Sequence, residues 1–173
     1  MKLTVAAMGG IGALVVASYV TDARAAWFRF HGAECMAVDI NVSPGFLDFL
    51  VVDSDHGVAS AANKDQEFMC APHDSSVVQR NQYKIVNVEV DSETGNAIQA
   101  SLCEDNWNGW GGACGTSMST SGVGHQTIAL GSEIGVAGLW TPTSETNFGY
   151  VWVDLPAATT WSYNYLRGIW YST

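Results

Sequence analysis

The residues best suited to recognising a ligand crowd between two cysteines, Cys103 and Cys114. They run Glu104-Asp105-Asn106-Trp107-Asn108-Gly109-Trp110-Gly111-Gly112-Ala113. Indole faces pack on the C–H faces of a sugar ring, while neighbouring carboxylates and amides take its hydroxyls. Trp107 and Trp110, with Asp105, Asn106 and Asn108 beside them, bring both kinds of group into one short loop. The competing arrangement folds both indoles inward to cap the end of the fold, as apolar loop residues commonly do. A second set comprises Tyr150, Trp152, Trp161, Tyr163 and Tyr165, which form a cross-strand aromatic ladder if the last two strands pair. Facing solvent, that ladder is a recognition surface with Trp152 and Trp161 as its ligand contacts; facing inward, it is core.

Other chemistries fit less well. Asp53-Ser54-Asp55-His56-Gly57 has the alternating oxygens and turn glycine of a calcium loop. The helix-loop-helix calcium pattern wants Glu at its twelfth position, and that residue is Lys64. What remains is a weak calcium-binding β-loop around Asp53 and Asp55, or a plain acidic turn. The four histidines, His31, His56, His73 and His125, form no H-E-x-x-H and no ligand pair on one strand. Ser117 lacks the glycine that a nucleophile elbow needs after its serine. A glycosidase carboxylate pair is defined by separation in space, so the acids of this chain neither exclude nor nominate one. The pattern favours binding over catalysis.

The elements that hold these residues are strands. The chain past residue 25 has no sustained 3.6-residue periodicity, but many short alternating or β-branched runs between turn signals, which is the pattern of an antiparallel β-sandwich of jelly-roll or immunoglobulin-like type. Strands are expected near 26–30, 46–52, 67–70, 125–130, 134–140 and 148–155, and in the last segment. Val86, Val88 and Val90 share one face, and after a turn at 91–96 Ile98, Ala100 and Leu102 do the same, which predicts a hairpin delivering Cys103 to the tryptophan loop. Over 148–155 the alternation turns Val151, Val153 and Leu155 one way and Tyr150, Trp152 and Asp154 the other. Residues 115–124, rich in Ser, Thr and Gly, are expected to be a long loop.

Residues 1–25 have the grammar of a secretory signal peptide. Lys2 leads, an apolar run follows from about Val5 to Val20, and Ala23 and Ala25 stand where the peptidase wants small residues. Glycines at 9, 10 and 12 interrupt the run, which falls short of the roughly 20 apolar residues a bilayer span requires, so no membrane insertion is expected. Residues 26–173 then make one secreted domain. Loss of Lys2, Arg24 and Asp22 with the leader leaves five Lys+Arg against sixteen Asp+Glu, a formal charge of −11. That field repels phosphate backbones, so no nucleic acid is expected as a partner.

Four cysteines in an exported chain argue for two disulfides. Of the three connectivities, Cys103 with Cys114 is favoured because the glycine-rich interval between them can fold back, which leaves Cys35 with Cys70. Four zinc ligands would need a C-x-x-C pair, and there is none.

Phe30-His31-Gly32-Ala33-Glu34-Cys35, Cys70-Ala71-Pro72, Gly111-Gly112-Ala113-Cys114-Gly115, the run Tyr150 to Pro156, and Leu166-Arg167-Gly168 together resemble a group of small secreted four-cysteine β-proteins of gliding, predatory Gram-negative bacteria. The resemblance implies secretion, the same cysteine pairing and an all-β domain, and it transfers no functional residue. The expectation is therefore a secreted, acidic β-sandwich that recognises a polysaccharide or cell-surface glycan. The alternatives are a structural or adhesive protein that self-associates through an exposed edge strand and, less well supported, a hydrolase.

Overall fold

The computed structural model describes residues 27–38, 51–53, 57–60, 64–72, 82–106, 112–136, 139–140 and 147–173. Within them the chain is all-β, with short 3-10 turns and no α-helix. In chain order the strands are β1 (Trp27–His31), β2 (Met36–Ala37), β3 (Val51–Asp53), β4 (Gly57–Ala59), β5 (Gln66–Cys70) and β6 (Ile85–Ser92). They continue with β7 (Gln99–Asn106), β8 (Ala113–Cys114), β9 (Met118–Ser119), β10 (Gly124–Ala129), β11 (Asn147–Leu155) and β12 (Asn164–Ser172). These form two six-stranded antiparallel sheets. Sheet A has the order β10-β6-β12-β4-β3, with β1 also pairing β12; sheet B has the order β2-β5-β11-β7-β8, with β9 also pairing β7.

Alternation along each strand builds the core. Val86, Val88 and Val90 of β6, Leu166, Ile169 and Tyr171 of β12 and Ile128 of β10 face inward from sheet A. Phe68, Ala100, Leu102, Val151, Val153 and Leu155 meet them from sheet B. Removing so many aliphatic side chains from water, at about 25 cal/mol per Å² of apolar surface, is the main force holding the two layers together. Both disulfides form as expected, Cys35–Cys70 and Cys103–Cys114. The first ties β5 to the turn before β2; the second joins the directly opposed residues of β7 and β8.

Three sequence expectations need correcting. Strands β6 and β7 bury the expected faces, yet they are not a hairpin: β6 lies in sheet A and β7 in sheet B. The 93–97 turn carries the chain across the sandwich, so each strand covers the other's apolar face instead of hydrogen-bonding to it. Successive strands from β9 to β12 also switch sheets, a jelly-roll-like alternation. The described residues of 134–140, which are 134–136, 139 and 140, are not in a strand: a 3-10 turn at Gly131–Glu133 leads into further turns, and Trp140 has a positive φ of 52°. The Ser/Thr/Gly tract is more ordered than a loop, because Met118–Ser119 pairs with β7 and the Ile98 N–H donates to Thr120 Oγ1 at 2.9 Å.

The β6-to-β7 crossing is fixed by Asn164, which is fully buried at the start of β12. Its Oδ1 accepts from the hydroxyls of Ser92 and Thr94, both at 3.0 Å, and its Nδ2 donates to the Pro156 carbonyl at 2.9 Å. One side chain thus joins two of the places where the chain changes sheets, β6 to β7 and β11 to β12. Buried polar groups left without partners cost about 1–3 kcal/mol each. Asn164→Ala should therefore lower unfolding stability by about 2–4 kcal/mol, read as a fall in urea midpoint at unchanged slope; a change below about 1 kcal/mol would show that the corner is held by other contacts.

Candidate functional site

The outer face of sheet B carries the side chains that alternate with the core. Phe148, Tyr150, Trp152 and Asp154 point outward from β11, Asp105 from β7, and Glu67 and Met69 from β5, while Ser101 of β7 is buried beneath this face. Phe148 is 42% exposed, Tyr150 and Trp152 are half-buried, and the Phe148 and Tyr150 rings lie 6.2 Å apart between centroids. Alternate residues of a strand are about 6.7 Å apart, so the three rings make a strip about 13 Å long. The strip is bordered by carboxylates: Asp105 opposes Phe148, and Glu67 opposes Asp154. At its other side Trp152 lies in register with Met69, which in turn opposes Met36 of edge strand β2, 64% exposed.

The end of this face is braced from within. Glu104 is buried at the end of β7 and its carboxylate accepts from the backbone N–H of Trp140. The Trp140 indole N–H donates to the Cys103 carbonyl at 2.9 Å, and its ring is buried near Tyr83 and Tyr171. Gly149 of β11 makes room for it, since a Cβ there would lie 2.3 Å from the Trp140 Nε1. A second buried carboxylate, Glu133, accepts from the Thr116 N–H at 3.0 Å just past Cys114. Both strands of the Cys103–Cys114 hairpin are thereby tied to the 131–140 turns.

The structure divides the residues that the sequence singles out. Asp105 and Trp152 share the outer face of sheet B, and Asn106 is the last residue of β7. Trp107, Asn108 and Trp110 lie outside the described residues, in the segment that leaves β7 at this end of the face. The expected ladder does not form. β11 belongs to sheet B and β12 to sheet A, so Tyr150 and Trp152 never stand beside Tyr163 and Tyr165. Trp161 sits in the connection between the sheets, 88% exposed. For β11 the question of which face is core has a plain answer: the Val151 face is buried and the Trp152 face turns outward.

The calcium reading falls mostly outside the described residues, since Asp55 lies in the 54–56 segment; Asp53 and Gly57 are the paired residues on either side of it, joining β3 and β4. Among the described residues no three His, Cys, Asp or Glu side chains are placed to hold a metal ion. The leader expected over residues 1–25 is likewise outside the described residues.

Sequence reasoning missed a second surface, on the outer face of sheet A. An open cleft of about 750 Å³ is lined by Arg29 and His31 of β1, Glu34, Glu89 of β6, His125 of β10, and Arg167 and Trp170 of β12. His125 Nε2 lies 2.9 Å from Glu89 Oε2, and Arg167 pairs with Asp91 at 3.2 Å. The Trp170 indole N–H donates to Glu89 Oε1 at 2.7 Å, and the Thr127 hydroxyl donates to the same carboxylate. A register shift between Leu166 and Gly168 puts both Arg167 and Trp170 on this face. The available signal was the broken alternation of Leu166, Ile169 and Tyr171 around Gly168.

Negative charge accumulates on the sheet B face and shows in its titration. Burial, then the charges of Asp65 and Glu67, raise the Asp154 carboxyl above its ordinary range. Burial, then Asp105, raise the Tyr150 phenol. Asp154 Oδ1 is buried without a hydrogen-bond partner. A carboxyl whose folded pKa is raised destabilises the fold once ionised; the penalty is present above the folded pKa and disappears as pH falls toward the unfolded value. Asp154→Asn should therefore raise the melting temperature at pH 7, with the gain over wild type vanishing below about pH 4. Equal melting temperatures at pH 7 would remove Asp154 as a source of strain on this face.

No family model matches the chain, and no curated protein does. Two solved structures are similar in architecture. One is the carbohydrate-binding module CBM36 in complex with calcium and xylotriose, with a TM-score of 0.43, 12% identity, and 82% of this chain and 97% of that one covered. The other is the family 11 carbohydrate-binding module of a cellulosomal cellulase of Clostridium thermocellum, with a TM-score of 0.40, 12% identity, and 85% and 86% covered.

Proposed function

We propose that this protein is a secreted, non-catalytic binding protein that recognises a polysaccharide or cell-surface glycan on the outer face of sheet B. The observation that carries the reading is the strip of Phe148, Tyr150 and Trp152 on one exposed strand face, with Asp105 and Asp154 along it. Rings stacked on pyranose C–H faces supply apolar contact, and the flanking carboxylates accept hydrogen bonds from ring hydroxyls. Trp107 and Trp110, which follow Asn106 in the sequence, are further candidates for ring contacts in this reading. A strip of rings at regular intervals suits a chain of sugar units better than a single one.

The test is affinity electrophoresis and pull-down against insoluble polysaccharides and bacterial envelopes, using the oxidised protein. An aromatic stack contributes about 0.5–1.5 kcal/mol beyond its buried area, so Tyr150→Ala and Trp152→Ala should each weaken binding about tenfold or more, with far-UV circular dichroism unchanged. Trp107→Ala and Trp110→Ala should do the same. Undiminished binding in all four variants would overturn the assignment.

One observation favours a self-associating, adhesive role instead: Met36, 64% exposed on edge strand β2, continues the apolar row of Met69 and Trp152 to the border of the sheet. If that row joins copies of the chain, light scattering will show concentration-dependent assembly that Met36→Lys abolishes. A strict monomer at high concentration would discard this second reading.

A further inference from the structure

The cleft on sheet A is chemically unlike the rest of the molecule. The chain carries a formal charge of −10, yet both arginines and both histidines among the described residues, Arg29, Arg167, His31 and His125, line this one cleft. They come from three strands, β1, β10 and β12, that only the sheet order brings together.

Two of the acids nearby, Glu89 and Asp91, are already engaged. Glu89 accepts from the Trp170 indole and the Thr127 hydroxyl and contacts His125; Asp91 contacts Arg167 and lies 3.6 Å from His125 Nδ1. The Arg29 side chain, by contrast, is exposed and makes no hydrogen bond or ion pair with the described residues. Glu34 on the rim is also exposed. The donors left open toward a ligand therefore centre on the Arg29 guanidinium, with the Glu34 carboxylate facing it from the rim.

The geometry gives that guanidinium a neighbour. Arg29 directly opposes Trp170 in the β1–β12 pair, so the two side chains stand side by side on the outer face. The Trp170 ring is held in orientation by its bond to Glu89. A guanidinium binds a carboxylate through two parallel hydrogen bonds, and an adjoining indole offers a flat apolar wall to the ring that bears it.

We propose that this cleft is a second binding site, for an acidic sugar: a hexuronate unit whose carboxylate engages Arg29 and whose ring packs on Trp170. The site lies on the opposite outer face from the aromatic strip of β11 and stands independently of it. In this arrangement Arg167 is a positioning residue, holding Asp91 and through it the orientation of His125. Glu34 opposes the ligand's charge and limits its affinity.

The test is isothermal titration of the whole protein with trigalacturonate, its methyl ester, and neutral galactotriose. The expected result is binding of the acid, with the ester and the neutral sugar at least about tenfold weaker, and weakening by salt. Arg29→Gln should reduce affinity for the acid about tenfold and erase the preference over the ester, whereas Glu34→Gln should raise it several-fold. Both positions are exposed, so both variants keep the fold. Trp152→Ala should leave trigalacturonate binding intact, which separates this site from the one on sheet B. No binding of trigalacturonate, equal binding of acid and ester, or an Arg29→Gln variant that binds like wild type would each overturn the proposal.

Discussion

The rest of the fold turns on the position of β12, which pairs with β6 along one side and with both β1 and β4 along the other. Its register shift near Arg167 reverses the alternation halfway along: Leu166 and Ile169 both point inward although three residues apart, and Tyr165, Arg167 and Trp170 are left outside. The surroundings are shaped to fit that irregularity. Gly32 and Gly57 approach the Leu166 carbonyl so closely that a Cβ on either would lie about 2 Å from its oxygen, 1.9 and 2.0 Å respectively. Gly57 also has a φ of 91°, which side-chain-bearing residues seldom adopt. The start of β4 and the turn after β1 therefore close on the bulge as one unit, and the cleft above it is a consequence.

Two layers give the molecule two outer faces with separate chemistry. Sheet B presents aromatic rings bordered by acids; sheet A presents cations, an indole and the bonded acids Glu89 and Asp91, with Glu34 exposed on the rim. Neither face takes part in the core, so each can change its recognition without unpacking the sandwich. A scaffold of this kind hosts many binding functions for that reason, and its function has to be argued from its surfaces.

Buried polar groups decide the path between the layers. Asn164 joins two of the sheet-changing corners, and Glu104 with Trp140 clasps the 139–140 turn to the disulfide-linked strands β7 and β8. Apolar burial alone would tolerate several strand orders, because any strand with one apolar face fits either layer. A buried amide or carboxylate with a fixed set of partners tolerates far fewer, since each misplacement leaves a desolvated group unpaired.

The sequence by itself determined the class of fold, the two disulfides and the inward faces of β6, β7 and β11, because period-two burial is a local property written residue by residue. It also marked Asp105 and Trp152 as candidates, and the structure sets them on one face. Strand partners were decided only by the tertiary structure. The valines of β6 and the Ile98–Leu102 stretch look like the arms of a hairpin, yet alternation says which side of a strand is buried and nothing about whether its neighbour lies beside it or across the core. For the same reason the aromatic residues of β11 and β12 divide between the two sheets, and Arg29, His125 and Arg167, far apart in the chain, converge. Pairing is a long-range choice among sheet edges, settled by which arrangement buries all the apolar faces and satisfies the few buried polar groups together.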